Sequence, residues 1–169
     1  MEIMVVSDTN IFIDLFKLGL LNAFFNLPWE IHTTDFVINE LEDPDQKASA
    51  ETYINQNRLI VGTLSAEDLN AILLRRDASG TKVSFTDYSV CYYAKKYGYT
   101  ILTGDKPLRK IAESEGVPVH GILYLLDELI YYGILSPLSA AEALEHLNRI
   151  NSRLPIDEVE ARLKKWEME

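Results

Sequence analysis

Asp8, Glu40, Asp87 and Asp105 are acids contributed from distant parts of a 169-residue chain, and each closes or opens an apolar or helical segment. Two of them follow apolar runs directly, in Ile3-Met4-Val5-Val6-Ser7-Asp8 and Thr100-Ile101-Leu102-Thr103-Gly104-Asp105. Such runs read as strands buried on both faces of a parallel sheet, and the carboxyl ends of those strands line the ligand crevice of an open α/β fold. Carboxylates delivered to one crevice raise each other's proton affinity, so they stay ionised together only around a cation. An all-oxygen donor set suits a hard divalent ion, Mg²⁺ or Mn²⁺, and not zinc. The chemistry expected of such a cup is metal-assisted attack of water on a phosphodiester.

Each acid also has a plainer reading. Asp8, Asp87 and Asp105 stand where helix caps are expected, and Glu40, in Phe36-Val37-Ile38-Asn39-Glu40-Leu41, could be an edge residue of an apolar helix. Ser84 either holds the Asp87 carboxylate or caps its helix. Asn10 lies two residues past Asp8, at a helix start. Arg109, one turn into the helix after Asp105, points by helical periodicity toward the same mouth, where it would pair with an acid or hold a phosphate.

The elements needed to position these residues are legible as alternating strands and helices. Strands are expected at Ile3–Ser7, Trp29–Thr33, Leu59–Val61, Thr100–Thr103 and Val117–His120. Helices are expected at Asn10–Leu18, Leu20–Leu27, Thr34–Leu41, Ala48–Gln56, from Ser65 onward, Ser84–Tyr97, Pro107–Glu115, Ile122–Tyr132, Ala140–Ile150 and Asp157–Glu167. Ser65 with Asp68 forms a capping pair, and Gly19, Gly98 and Gly116 read as helix stops. Pro44 reads as a breaker, and Ala78–Val83 as a loop. Alternation of this kind argues for a parallel sheet with helical crossovers.

Composition sets limits. Apolar residues make up 47% of the chain, enough for a sizeable core. There is no apolar run long enough to span a membrane and no charged leader ahead of the first strand, so a cytoplasmic protein is expected. The single Cys91 excludes an internal disulfide, and its helical setting predicts a buried, inert thiol. His32, His120 and His146 are scattered, which leaves a histidine–metal enzyme without support. Asp14 reads as a paired or solvated acid and Asp77 as a surface acid. The run Tyr88, Tyr92, Tyr93, Tyr97 and Tyr99 reads as core or dimer surface before it reads as a base-stacking platform. The net charge of −10 is awkward for nucleic-acid binding, which needs a local basic patch. The candidates are Arg75-Arg76, Lys82, Lys95-Lys96 and the group Lys106, Arg109 and Lys110.

Taken together, these pieces resemble the PIN-domain family, including PilT N-terminus-like members and the VapC-type toxin ribonucleases. The resemblance runs from Met4 to about Leu135. It is strongest from Phe85 to Leu135, through Thr103-Gly104-Asp105-Lys106-Pro107-Leu108-Arg109 and Gly121-Ile122-Leu123-Tyr124-Leu125-Leu126-Asp127. It implies an α/β domain with a central parallel sheet flanked by helices, over residues 1–135, followed by a helical C-terminal extension, 136–169, packed on the domain or on a partner. That tail exceeds the shorter toxin members, whereas many PilT-type members carry similar helical ends. The resemblance further implies an endoribonuclease whose Mg²⁺ or Mn²⁺ is bound by Asp8, Glu40, Asp87 and Asp105. Asn10, Ser84 and Thr103 would support them, and Lys106 and Arg109 would contact substrate. RNA is the implied substrate, cleaved to leave a 5′-phosphate. A homodimer is expected, and an antitoxin protein is a further partner.

Two other readings follow from the same residues. A catalytically silent PIN module would bind RNA or protein without cutting. A haloacid-dehalogenase-type phosphatase also begins with Asp after a first strand, but its second acid should stand where this chain has Asn10.

Overall fold

The computed structural model describes residues 3–80 and 82–168. Five strands, β1 (Ile3–Ser7), β2 (Trp29–Thr34), β3 (Ile60–Gly62), β4 (Thr100–Leu102) and β5 (Val119–His120), form one sheet in the order β3-β2-β1-β4-β5. Every pairing is parallel, with Val5 beside Ile31 and Thr100, and Leu102 beside His120. Chain order reverses between β1 and β4. That switch point opens a crevice at the carboxyl ends of the strands.

Helices cover both faces. On one side lie α1 (Thr9–Lys17), α2 (Leu21–Phe25), α8 (Ile122–Tyr131), α9 (Pro137–Ile150) and α10 (Ile156–Trp166). Their Leu15, Phe24, Leu126, Leu144 and Trp166 share one core with Val5, Ile31 and Leu102. On the other side α6 (Phe85–Tyr97) and α7 (Lys106–Ser114) pack Val90, Ala94, Leu108 and Ala112 against Val6 and Ile101. Successive strand residues therefore feed opposite cores, as the two-residue period of a strand requires. The remaining helices are α3 (Asp35–Asn39), α4 (Pro44–Asn55) and α5 (Ala66–Ser79), the last of which packs on α6.

The C-terminal helices are tied to the elements that begin at the crevice. Asn151 donates to Asp14 of α1 at 3.3 Å, and Arg162 of α10 pairs with Asp127 of α8 at 2.9 Å. Asp14 is thus a paired acid, and Asp77 is exposed. Cys91 is buried, and burial pushes its thiol up to about 11, which keeps it inert at neutral pH.

Several boundaries differ from the sequence expectation, among them the start of α9 at Pro137, the start of β5 at Val119, and the start of α4 and end of α5. Helix α4 begins at Pro44, because the Asp43 side chain accepts from the Asp45 and Gln46 amides and a first-position proline has no hydrogen bond to lose. Helix α5 runs on to Ser79 and stops at Gly80, whose φ of 61° is the left-handed conformation glycine adopts freely. The Ser65–Asp68 pair is a complete reciprocal capping box.

Gly62 ends β3 where Tyr93 of α6 crosses it. A Cβ there would lie 2.3 Å from Tyr93 Cε2. Tyr93 cannot swing away freely, since its hydroxyl meets His32 Nδ1 at 2.9 Å. Gly62→Ala should destabilise the protein by about 1–3 kcal/mol through overpacking. Denaturant unfolding that gave the wild-type midpoint would contradict this close approach.

Candidate active site

The four acids stand around the β1/β4 switch point, placed there by helix caps, a first helical turn and a helix end. Asp8 leaves β1 and caps α1, its Oδ1 accepting from the Ile11 amide at 3.1 Å. Asp105 follows β4 and caps α7, its Oδ2 accepting from the Leu108 amide at 2.9 Å. Asp87 stands in the first turn of α6, behind the cap Ser84, whose hydroxyl accepts from the Asp87 amide at 3.1 Å. Glu40 closes α3 and is held by the Thr9 hydroxyl, which donates to Oε2 at 2.9 Å. Capping and site-building are therefore not alternatives for Asp8 and Asp105. The cap bond aims the carboxylate, and the positive end of the helix partly offsets its charge.

Thr103 joins two of the acids. Its buried hydroxyl donates to Asp8 Oδ2 and accepts from the Asp105 amide at 3.0 Å. Thr9 was not among the expected supporting residues. Its partner lies 31 positions away in sequence, so only its adjacency to Asp8 marked it. Asn10 is exposed on the first turn of α1.

Asp8 is 1% exposed, and burial is the main reason its carboxyl rises from 3.8 to about 7. The hydrogen bonds from Thr103 and Ile11 pull the other way, and the charges of Asp87 and Asp105 push it higher. Asp87 is also raised, first by burial, against the Ser84 hydrogen bond and with the charges of Asp105 and Glu40 adding to the shift. Asp105 thus bears on both Asp8 and Asp87, and Asp87 links Glu40 to Asp8. No cationic side chain within ion-pair distance answers them among the described residues.

The donor set fits a hard divalent cation in chemistry and in sign of charge. As the side chains stand they do not form a finished cage. Among the described residues, no group of three or more His, Cys, Asp or Glu side chains is close enough together to ligate one ion. Asp8 has both oxygens engaged, while Asp105 leaves Oδ1 without a hydrogen bond among the described residues.

The basic candidates divide. Lys95 pairs with Glu115 and Lys96 with Asp68, Arg76 donates to the Val83 carbonyl, and Arg75 lies over Tyr92. These tie α5, α6 and α7 together. Lys106 and Lys110 are exposed on α7 beside Asp105. Arg109 does not reach the carboxylates. Its guanidinium lies against Gly121, where a Cβ would be 3.4 Å from Nη2, and beside His120, whose imidazole is lowered by burial first and by Arg109 second. The tyrosine run packs: Tyr93, Tyr97 and Tyr99 cluster with His32, and Tyr92 bonds Asp68.

The sequence pattern of the PIN domain matches residues 4–168, C-terminal helices included. The chain belongs to the PIN-domain family. Members of that family are generally nucleases, which supports a nuclease-like role. No curated protein matches the chain in sequence. Among solved structures, the chain is similar to PAE2754 from Pyrobaculum aerophilum, with a TM-score of 0.54, 17% identity, and coverage of 76% of this chain and 90% of that one. It is likewise similar to a PilT N-terminus domain protein from Sulfolobus solfataricus, with a TM-score of 0.51, 17% identity and coverage of 76% and 94%. Those likenesses concern the fold. No helix among the described residues is long and apolar enough to cross a membrane.

The raised Asp8 carboxyl fixes a sign. The folded state holds this proton up to about pH 7, the unfolded state only to about 3.8. Stability from this group is therefore full below 3.8 and is lost as pH rises through about 7. In EDTA, Asp8→Asn should be more stable than wild type at pH 8, by on the order of a few kcal/mol, and should flatten the profile between pH 4 and 7. Urea unfolding at several pH values tests this; a wild-type-like pH profile for the variant would contradict it.

Proposed function

We propose that this PIN domain is a metal-dependent endoribonuclease hydrolysing RNA phosphodiesters. The carrying observation is that Asp87 and Asp105 raise the proton affinity of Asp8 while Asp105 and Glu40 raise that of Asp87, with no cationic side chain within ion-pair distance of the four among the described residues. Mg²⁺ or Mn²⁺ would be held by those four carboxylates and, when bound, would supply activation of water and neutralisation of charge on the phosphate. The chain's own residues do the rest. The Ile11 amide and Thr103 fix Asp8, Thr9 orients Glu40, and Ser84 steadies Asp87. We assign Asp87, half-buried with raised proton affinity, to accept the proton of the attacking water. Lys106 and Arg109 would take phosphates of the RNA backbone, with Lys110 adding charge on the same helix.

One observation favours a second reading, a PIN module that binds without cutting: the carboxylates do not converge as they stand. Both readings leave room for association. Leu73, Leu74, Tyr131, Leu138 and Ile156 are exposed, which gives apolar surface for a homodimer or for an antitoxin-type partner. The homodimer is our expectation for the isolated chain, and a monomer mass by light scattering at tens of micromolar, in the order of concentration where such contacts saturate, would refute it.

The endonuclease reading expects RNA cleavage with Mg²⁺ or Mn²⁺ and none after EDTA. Asp87→Asn or Asp105→Asn should abolish cleavage while slightly raising the melting temperature of the metal-free protein. Mn²⁺ at about 100 times its Kd should stabilise wild type by roughly 2.7 kcal/mol, and the variants by less. Cleavage that survives exhaustive chelation would sink the metal assignment. Metal-induced stabilisation without any cleavage would favour the binding module.

A further inference from the structure

A stack of aromatic rings that the proposed chemistry does not use ends on His120, at the carboxyl end of β5 beside Leu102 of β4. Trp29, buried, lies at 15° to Tyr124 with ring centroids 6.4 Å apart. Tyr124, half-buried, lies at 13° to His120 with centroids 3.8 Å apart. The stack runs from a buried indole to the half-buried imidazole of His120, its member at the end of β5.

His120 is coupled directly to the site. Its carbonyl accepts from the Thr103 amide at 2.9 Å, and the Thr103 hydroxyl holds Asp8. The Arg109 guanidinium lies against Gly121, the residue after His120, where a Cβ would be 3.4 Å from Nη2, and it forms no ion pair among the described residues. A half-buried aromatic ring with an unpaired guanidinium packed on the next residue matches the two halves of a nucleotide, base and phosphate. Only an unpaired base can offer its face to a side chain, so the arrangement selects single strands over duplexes.

Resting on the ribonuclease reading, we infer that His120 is a substrate-positioning residue that stacks on an unpaired base of single-stranded RNA, next to the scissile phosphate, with Arg109 on the adjoining backbone. The base extends the Trp29–Tyr124–His120 stack by one ring. The tyrosines of α6 have no part in it, because they pack with His32 on the opposite face of the sheet.

The test uses the full chain with Mn²⁺ and an unstructured, labelled oligoribonucleotide. Cleavage kinetics are read for wild type, and binding by fluorescence anisotropy in an Asp87→Asn background. His120→Ala should raise both KM and Kd about tenfold, the range of one stacked base. Its kcat should stay within about twofold of wild type, since stacking is uniform binding. His120→Phe keeps a ring face and should bind as wild type does, whereas a role of the ring nitrogens would be lost in both variants, and a purely structural role would lower the melting temperature of His120→Ala without the single-strand-specific loss of binding. The same sequence annealed into a duplex should bind weakly and should not distinguish the variants. The inference is overturned if His120→Ala matches wild type on single strands, or if His120→Phe is as weak as His120→Ala. Single-stranded DNA bound as tightly as RNA, with the same loss, would overturn the commitment to RNA. Wild type that cleaves RNA while His120→Ala binds and cleaves as wild type does removes this inference alone. Wild type that neither binds nor cleaves RNA with Mn²⁺ removes the ribonuclease reading and this inference together.

Discussion

Like charges placed around one switch point of a parallel sheet are the constraint around which this structure is organised. Asp8 sits at the floor of the β1/β4 switch point with almost no contact with solvent, and Asp87 and Asp105 lie close enough to raise its proton affinity further. The protein answers this repulsion with hydrogen-bond donors and helix ends: the Ile11 and Leu108 amides, and the hydroxyls of Thr103, Thr9 and Ser84. None of these carries a full positive charge. Lys95 and Lys96, basic residues on the helix that carries Asp87, are turned to Glu115 and Asp68 instead. What is left is a concentrated negative charge with oxygen donors, the complement of a small hard cation.

The scaffold holds that unfavourable arrangement by making the acids belong to rigid elements. Asp8 is part of the first turn of α1, and α1 is gripped at its far side by Asn151. Gly121, against which Arg109 rests, opens α8, and α8 is gripped by Arg162 of α10. The C-terminal helices contribute Leu144, Leu147, Val159 and Trp166 to the same core as Val5 and Leu102, so they brace the strand ends from one side. A crevice whose walls are braced in this way can hold neighbouring carboxylates near one another, with Asp8 retaining its proton as the local remedy.

Much of this was legible in the sequence because the signals are local. An apolar run that stops at Asp8 or Asp105 gives both strand and acid, and Ser84, Ser65, Gly98 and Gly116 mark helix ends by their own backbone chemistry. The start of α4 was missed because Pro44 reads equally as a breaker and as a first helical residue, and only the Asp43 cap decides between them. The Thr9–Glu40 bond had no sequence signal, since it joins positions that only the fold brings together. Arg109 shows the limit of periodicity. One turn along α7 puts it on the mouth side of the helix, but its guanidinium rests against Gly121, which has no side chain, and pairs with none of the four acids. For the tyrosines, helical spacing pointed correctly to packing, but not to the partner His32, which comes from β2.

Whether the carboxylates gather around an ion is tested most directly by diffraction from crystals soaked in Mn²⁺, with data collected for its anomalous signal. The account predicts a peak at the β1/β4 switch point with oxygens of Asp87, Asp105 and at least one of Asp8 and Glu40 in its coordination sphere, after side-chain rotation from the arrangement described above. An active, RNA-cleaving protein whose crystals show no Mn²⁺ there, or show it on other residues, would contradict the account.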